Sequence, residues 1–98
     1  MARHAIRLKP SAIKDMDRLR KYDAAAIADG MERFLGDHPT RESGSRIKRL
    51  RGMSNPDFRL RLDEYRVFYN VNAEEHRVDI LRILHKDETA DYYKEAKP

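Results

Sequence analysis

The sequence predicts a single α+β domain in which a strand and a two-helix hairpin precede an antiparallel sheet ending in a three-stranded meander, with a short C-terminal helix. Three observations carry this. Two amphipathic helical patterns follow one another near the start of the chain, apolar and basic residues alternate cleanly over 58–62, and two further β-prone runs, 65–71 and 78–84, come after short turns. A chain of 98 residues suffices for one modest core, so residues 1–98 are read as one domain.

Residues 4–8 set Ile6 and Leu8 on one side and Arg7 on the other, a short half-buried strand closed by Pro10. Ser11 is the candidate N-cap of a helix over about 11–21, with Ile13, Met16 and Leu19 at helical spacing and Lys14, Arg18, Arg20 and Lys21 around them. Asp23 is the candidate N-cap of a second helix carrying Ile27, Met31 and Phe34, with Gly36 and Pro39 marking its stop. The short link implies a helical hairpin, and its apolar stripe must lie on the strands that follow. Residues 37–57 are rich in Pro, Gly, Ser and Asn and read as loop, with a short extended piece over 47–50.

Phe58, Leu60 and Leu62 then alternate with Arg59 and Arg61. A tight turn at Asp63-Glu64 leads into 65–71, a second turn spans 72–75, and VDILRIL over 78–84 is aliphatic enough for a central strand buried on both faces. Residues 88–95 form a short helix after Asp87 and give way to the lysine-and-proline tail. If Phe58, Leu60 and Leu62 face the helices, Arg59 and Arg61 stand on the open face of the sheet, because successive strand side chains alternate sides.

Composition narrows the chemistry. The chain has no cysteine and four scattered histidines, which excludes disulfides, thiolate metal sites and cysteine nucleophiles, and no cofactor is implied. No apolar run approaches the roughly 20 residues of a membrane span, and the opening MARHAIRLKP lacks the apolar core of a secretory signal; a cytoplasmic protein without membrane contact is expected. The net charge is +4, and residues 41–66 hold eight Lys/Arg against four Asp/Glu while the remainder is balanced at 13 of each. An excess gathered in one segment is what a polyanion-binding face requires, although a solvated basic strand pair would show it too.

The run FRLRLDEYRVFYNV (58–71), preceded by KRLRGM (48–53) and followed by ILRILHKDETADYY (80–93), resembles the RelE/ParE superfamily of bacterial and archaeal toxins. The opening strand and KPSAIKDMDRL also resemble that family's start, so the likeness spans nearly the whole chain. The resemblance implies a toxin of a type II toxin–antitoxin system, silenced by a cognate antitoxin in a hetero-oligomer. RelE-like members cleave mRNA in the ribosomal A site, whereas ParE-like members inhibit DNA gyrase without cutting anything. Both share one fold, so the site must decide. A degenerate member that only binds its antitoxin is a third reading.

Metal-free RNA cleavage directs the 2′-OH at the adjacent phosphorus. It needs a proton acceptor, cations for the phosphoryl oxygens and a donor for the leaving 5′-oxygen. Arginine suits the phosphate, and a tyrosine can stack on an unpaired base. By the resemblance, Arg59, Arg61 and Arg66 bind and polarise the scissile phosphate, and Lys86 occupies the place of a catalytic arginine with Tyr92 as stacker. A shift by one residue would instead put Asp87 and Tyr93 in those places. His85 is either the proton-transfer group, its ordinary pKa being near neutrality, or a histidine that caps backbone at the strand end. Lys48, Arg49 and Arg51 are the candidate contacts to RNA backbone.

Overall fold

The computed structural model describes residues 3–52 and 55–96; Met53 of the KRLRGM motif, Ser54 of the loop and the Lys97-Pro98 tail lie outside them. The elements are β1 (Ala5–Leu8), α1 (Pro10–Asp17), α2 (Lys21–Leu35), β2 (Ile47–Arg49), β3 (Phe58–Leu62), β4 (Tyr65–Asn72), β5 (Arg77–His85), a 3₁₀ turn (Lys86–Glu88) and α3 (Thr89–Ala96). The five strands form one sheet in the order β1-β5-β4-β3-β2. β3, β4 and β5 are the expected antiparallel meander, and β2 extends it. β1 joins the far edge parallel to β5, so the α+β fold holds with a mixed sheet rather than a purely antiparallel one. The helical hairpin carries the chain from β1 to β2 at the opposite edge, and the antiparallel run from β2 to β5 brings it back beside β1 in parallel.

Both helix starts differ from the expected caps. α1 begins at Pro10 with Lys9 as N-cap, because proline's fixed φ suits the first helical position and its missing N–H costs nothing there. It also stops at Asp17, short of residue 21. Its buried face carries Ala12 and Asp15; of the expected apolar stripe, Met16 and Leu19 pack against the core, while Ile13 is 48% exposed and turns away from it. α2 begins at Lys21 with Arg20 as N-cap and holds Asp23 in its first turn, where the carboxylate complements the helix dipole. Ile27, Met31 and Leu35 are buried as the period requires. Gly30 lets α2 come close to β3: a Cβ there would lie 2.8 Å from the Leu62 methyls.

The helix-facing side of the sheet buries Ile47, Phe58, Leu60, Val67, Tyr69, Val78, Ile80 and Ile83 in one core with Ala12, Ile27, Met31 and Leu35. Tyr69 donates from its hydroxyl to the Pro39 carbonyl at 2.6 Å, tying the loop after α2 to the core, and burial pushes its phenol pKa up. An irregularity between Phe68 and Tyr69 pairs them with Arg82 and Ile80, leaving Leu81 as the extra residue of β5. Beyond this bulge Ile83 faces the helices, and Arg82 and Leu84 share the opposite face with Phe68 and Arg66. Burial of β5 on both faces is therefore confined to its C-terminal end, where Ile83 and Leu84 are both buried. Towards its start, Arg77 and Asp79 are only partly covered and pair with each other at 2.9 Å.

Candidate nucleic-acid interface

The strand registers place the basic side chains in two rows on the face turned away from the helical hairpin. One row runs Lys48, Arg59, Phe68, Arg82 across β2, β3, β4 and β5. The next runs Arg61, Arg66, Leu84. Arg59 and Arg61 thus stand opposite the core residues Phe58 and Leu60, as the alternation predicts. Among the described residues, none of Lys48, Arg59, Arg61 and Arg66 has a carboxylate within ion-pairing distance. The Nε atoms of Arg59 and Arg61 are buried and lack a hydrogen-bond partner among those residues. Arg59 donates from Nη2 to the Ser45 carbonyl at 3.1 Å, and Arg66 from Nη1 to the carbonyls of Asp63 at 2.8 Å and Tyr65 at 3.0 Å. Burial, then the nearby charges of Arg59 and Arg61, pull the Arg66 pKa below its ordinary value. Three guanidinium groups crowded on one face present the charge and the forked donors that a polyanion would bind.

α3 lies against the same face. The Tyr92 ring packs on Phe68 at 4.7 Å between centroids, and Tyr93 meets Phe68 edge-on at 5.6 Å. Tyr92 also neighbours Arg82, whose guanidinium carbon is 5.8 Å from its ring centre, and burial raises its phenol pKa. The two tyrosines proposed as alternatives therefore stand side by side on Phe68, with Tyr92 towards Arg82.

Other candidates are placed elsewhere. Arg49 pairs with Phe58 across the strands and projects to the helix side, its guanidinium 4.6 Å from the Phe58 ring centre, while its backbone N–H donates to Glu42. Arg51 is exposed just beyond β2. His85 lies opposite Tyr65 with the rings edge-to-face at 5.6 Å, on the side of the sheet away from the arginines. Its Nδ1 accepts from the Asp87 N–H at 3.1 Å and its own N–H donates to Glu88 at 3.0 Å, so it caps the 3₁₀ turn. Lys86 sits at the rim with its Nζ 3.0 Å from Glu64, which holds the Glu64 pKa below its usual range, and its N–H donates to the Glu64 carbonyl at 2.7 Å. Asp87 faces His85 at 3.4 Å rather than the arginine rows.

Three participants escaped sequence reasoning: Phe68, Arg82 and Asp15. Phe68 was signalled by its place two residues after Arg66 in YRVFY, and Arg82 by being a lone cation between aliphatic pairs. Asp15 gave only a faint sign, an acid directly between Lys14 and Met16 on the side of the helix next to its apolar residues. Among the described residues no group of three or more His, Asp or Glu is arranged to hold a metal, and no helix is long and apolar enough to cross a membrane.

A mixed sheet with a helical hairpin on one side and a basic, tyrosine-flanked floor on the other defines a small α+β protein with one basic face. A family model described as the ParE toxin of the type II toxin–antitoxin system parDE matches residues 6–90. The chain belongs to that family, and it is a RelE/ParE-superfamily toxin of a type II toxin–antitoxin system. Its structure is similar to that of a RelBE toxin–antitoxin complex from Mycobacterium tuberculosis, at 26% identity and TM-score 0.65, covering 85% of this chain and 98% of that one. It is also similar to a mutant of the Escherichia coli toxin RelE in the free state, at 23% identity and TM-score 0.69 over 98% and 95% of the two chains. An archaeal RelE–RelB complex from Pyrococcus horikoshii matches at 23% identity and TM-score 0.66 over 85% and 94%. The last two likenesses concern the fold. No curated protein sequence matches the chain.

Proposed function

We propose that this toxin is a metal-independent endoribonuclease that cleaves mRNA in the ribosomal A site. The observation that carries the reading is the direct pairing of Arg61 with Arg66, flanked by Arg59 and Lys48, on a face that also presents two tyrosines. Arg61 and Arg66 grip the non-bridging oxygens of the scissile phosphate, since permanently charged, bidentate donors stabilise the charge that grows there as the 2′-oxygen, its proton passing to solvent water, bonds to phosphorus and the bond to the 5′-oxygen breaks. Tyr93, packed edge-on against Phe68 on the arginine face, stacks on the unpaired base, with Tyr92 beside it. Lys86, released from Glu64, donates to the leaving 5′-oxygen. Lys48 and Arg51 track RNA backbone, whereas Arg49 serves packing on Phe58. His85 has its Nδ1 committed to the Asp87 N–H, which argues for a capping role.

A cognate antitoxin is the partner that a free cytoplasmic ribonuclease of this kind needs, and the M. tuberculosis and P. horikoshii structures are complexes of this type. An acidic helix or strand of the antitoxin would cover the basic rows in a hetero-oligomer.

Inducing the toxin in cells and mapping mRNA 5′ ends tests the function. Cuts in codon register that vanish with Arg66→Ala support it. The second reading is non-catalytic gyrase inhibition, favoured by the parDE family match and by the turning of His85 away from the arginines. Growth arrest with intact mRNA and a DNA-damage response would establish that one instead.

A further inference from the structure

Asp15 is the one fully buried charged residue among those described, at 3% exposure. It sits in α1, 67 residues from its main partner in sequence. Arg82 grips it with both sides of its fork, Nε at 2.8 Å and Nη2 at 3.1 Å. The Ile83 N–H donates to it at 2.9 Å and Arg18 at 2.5 Å. Part of this is edge repair. β1 stops at Leu8, beside Ile80, so β5 continues without a neighbour on that side and the Ile83 N–H has no strand to bond. A neutral side chain would have met that need. The carboxylate does more, because it takes Arg82 out of the row of free cations.

The consequence reaches α3. Arg82 is the cross-strand neighbour of Phe68, and held by Asp15 it stands 5.8 Å from the Tyr92 ring centre, while that ring packs on Phe68 at 4.7 Å. Ala90, Asp91, Lys94 and Glu95 of this short helix are exposed and Thr89 bonds back to the Lys86 carbonyl, so among the described side chains its hold on the sheet comes from Tyr92 and Tyr93. We propose that Asp15 is a positioning residue for the tyrosine wall: through Arg82 it docks Tyr92, and with it α3, so that Tyr93 is held against Phe68 on the arginine face. The use of that wall in catalysis rests on the ribonuclease reading given above; the docking itself does not.

The test uses the full-length toxin with Asp15→Asn, and Arg82→Lys, which keeps the buried charge paired but removes the fork. Arg18→Ala is the control, since Arg18 touches Asp15 from the solvent side and is 68% exposed. Amide exchange in α3 should rise at least tenfold in both variants, with Tyr92 ring resonances shifted and β3–β4 exchange unchanged; the control should match wild type. On programmed ribosomes each variant should cleave at least tenfold more slowly. Adding Tyr92→Leu should slow it less than twofold further, because both changes remove one contact chain. Unchanged α3 exchange and Tyr92 resonances in both variants overturn the proposal, as do losses that multiply in the double variant. If Asp15→Asn fails to fold, Arg82→Lys decides between the same outcomes. Loosening of α3 in a toxin whose wild type leaves RNA intact upholds the docking and removes the ribonuclease reading instead.

Discussion

Replacing Arg66 with alanine should cost most of the RNA cleavage and almost none of the fold. Arg66 spends its Nη1 on the Asp63 and Tyr65 carbonyls, which leaves its other donors unpartnered among the described residues and its plane held in place. Losing one preorganised, charge-assisted phosphate contact removes about 3 kcal/mol of transition-state stabilisation, or roughly 150-fold in rate. Stability responds differently. Arg66 lies directly across from Arg61, and like charges so placed cost about 0.2–1 kcal/mol, which offsets the two carbonyl contacts at the turn. The unfolding free energy should then change by no more than about 1 kcal/mol. Arg66→Lys keeps the charge without the fork and should fall between, at roughly tenfold. The assay is the initial rate of mRNA cleavage on programmed ribosomes with purified toxin, paired with urea unfolding of the same samples. A rate loss under threefold, or one matched by an equal loss of folded protein, would refute the phosphate-clamp argument.

The remaining expectations concern the scaffold. Tyr69→Phe strips the Pro39 carbonyl of its buried donor and should lower stability by about 1–2 kcal/mol in urea unfolding; no change would mean that water replaces the hydroxyl. Leu60→Ala, in the core between Ile47 and Val67, should cost about 2–5 kcal/mol, and a smaller loss would show that the site collapses around the cavity. For Asp15, burial raises the pKa, but hydrogen bonds from Arg82 and the Ile83 N–H, the Arg82 charge and Arg18 outweigh it, so the folded value lies below the ordinary 3.8. Its stabilisation is complete above that ordinary value and is lost as pH falls through the lower folded one. Asp15→Asn should therefore flatten the acid limb of the stability–pH curve, and a limb as steep as wild type would show that other carboxylates set it.

Period and composition made much of the fold legible. The alternation of Phe58, Leu60 and Leu62 with Arg59 and Arg61 is a property of strand geometry, so it announced both the core face and the cationic face. Ile27 and Met31 at helical spacing did the same for α2. α1 was legible in part: Met16 and Leu19 pack against the core as the period requires, whereas Ile13 is exposed and Ala12 and Asp15 are covered, because the sheet edge decides which side of the helix is buried. Of the site, the arginines were visible in the pattern, and the tyrosines through the family likeness. His85 and Arg49 were not separable from them, because proximity along the chain does not say which side of a sheet a residue takes.

The sequence by itself determined that the chain would make a helical hairpin over a meander and that its excess charge would gather on the strands around Phe58, since backbone periodicity and local charge act over a few residues. The tertiary structure alone decided that β1 joins β5 in parallel, that one extra residue at Leu81 turns Arg82 towards Phe68, and that Asp15 reaches across from α1 to hold it. Those outcomes depend on contacts between residues far apart in the chain, where register and packing compete. That is also why the basic face with its two tyrosines exists only once the sheet and α3 are assembled.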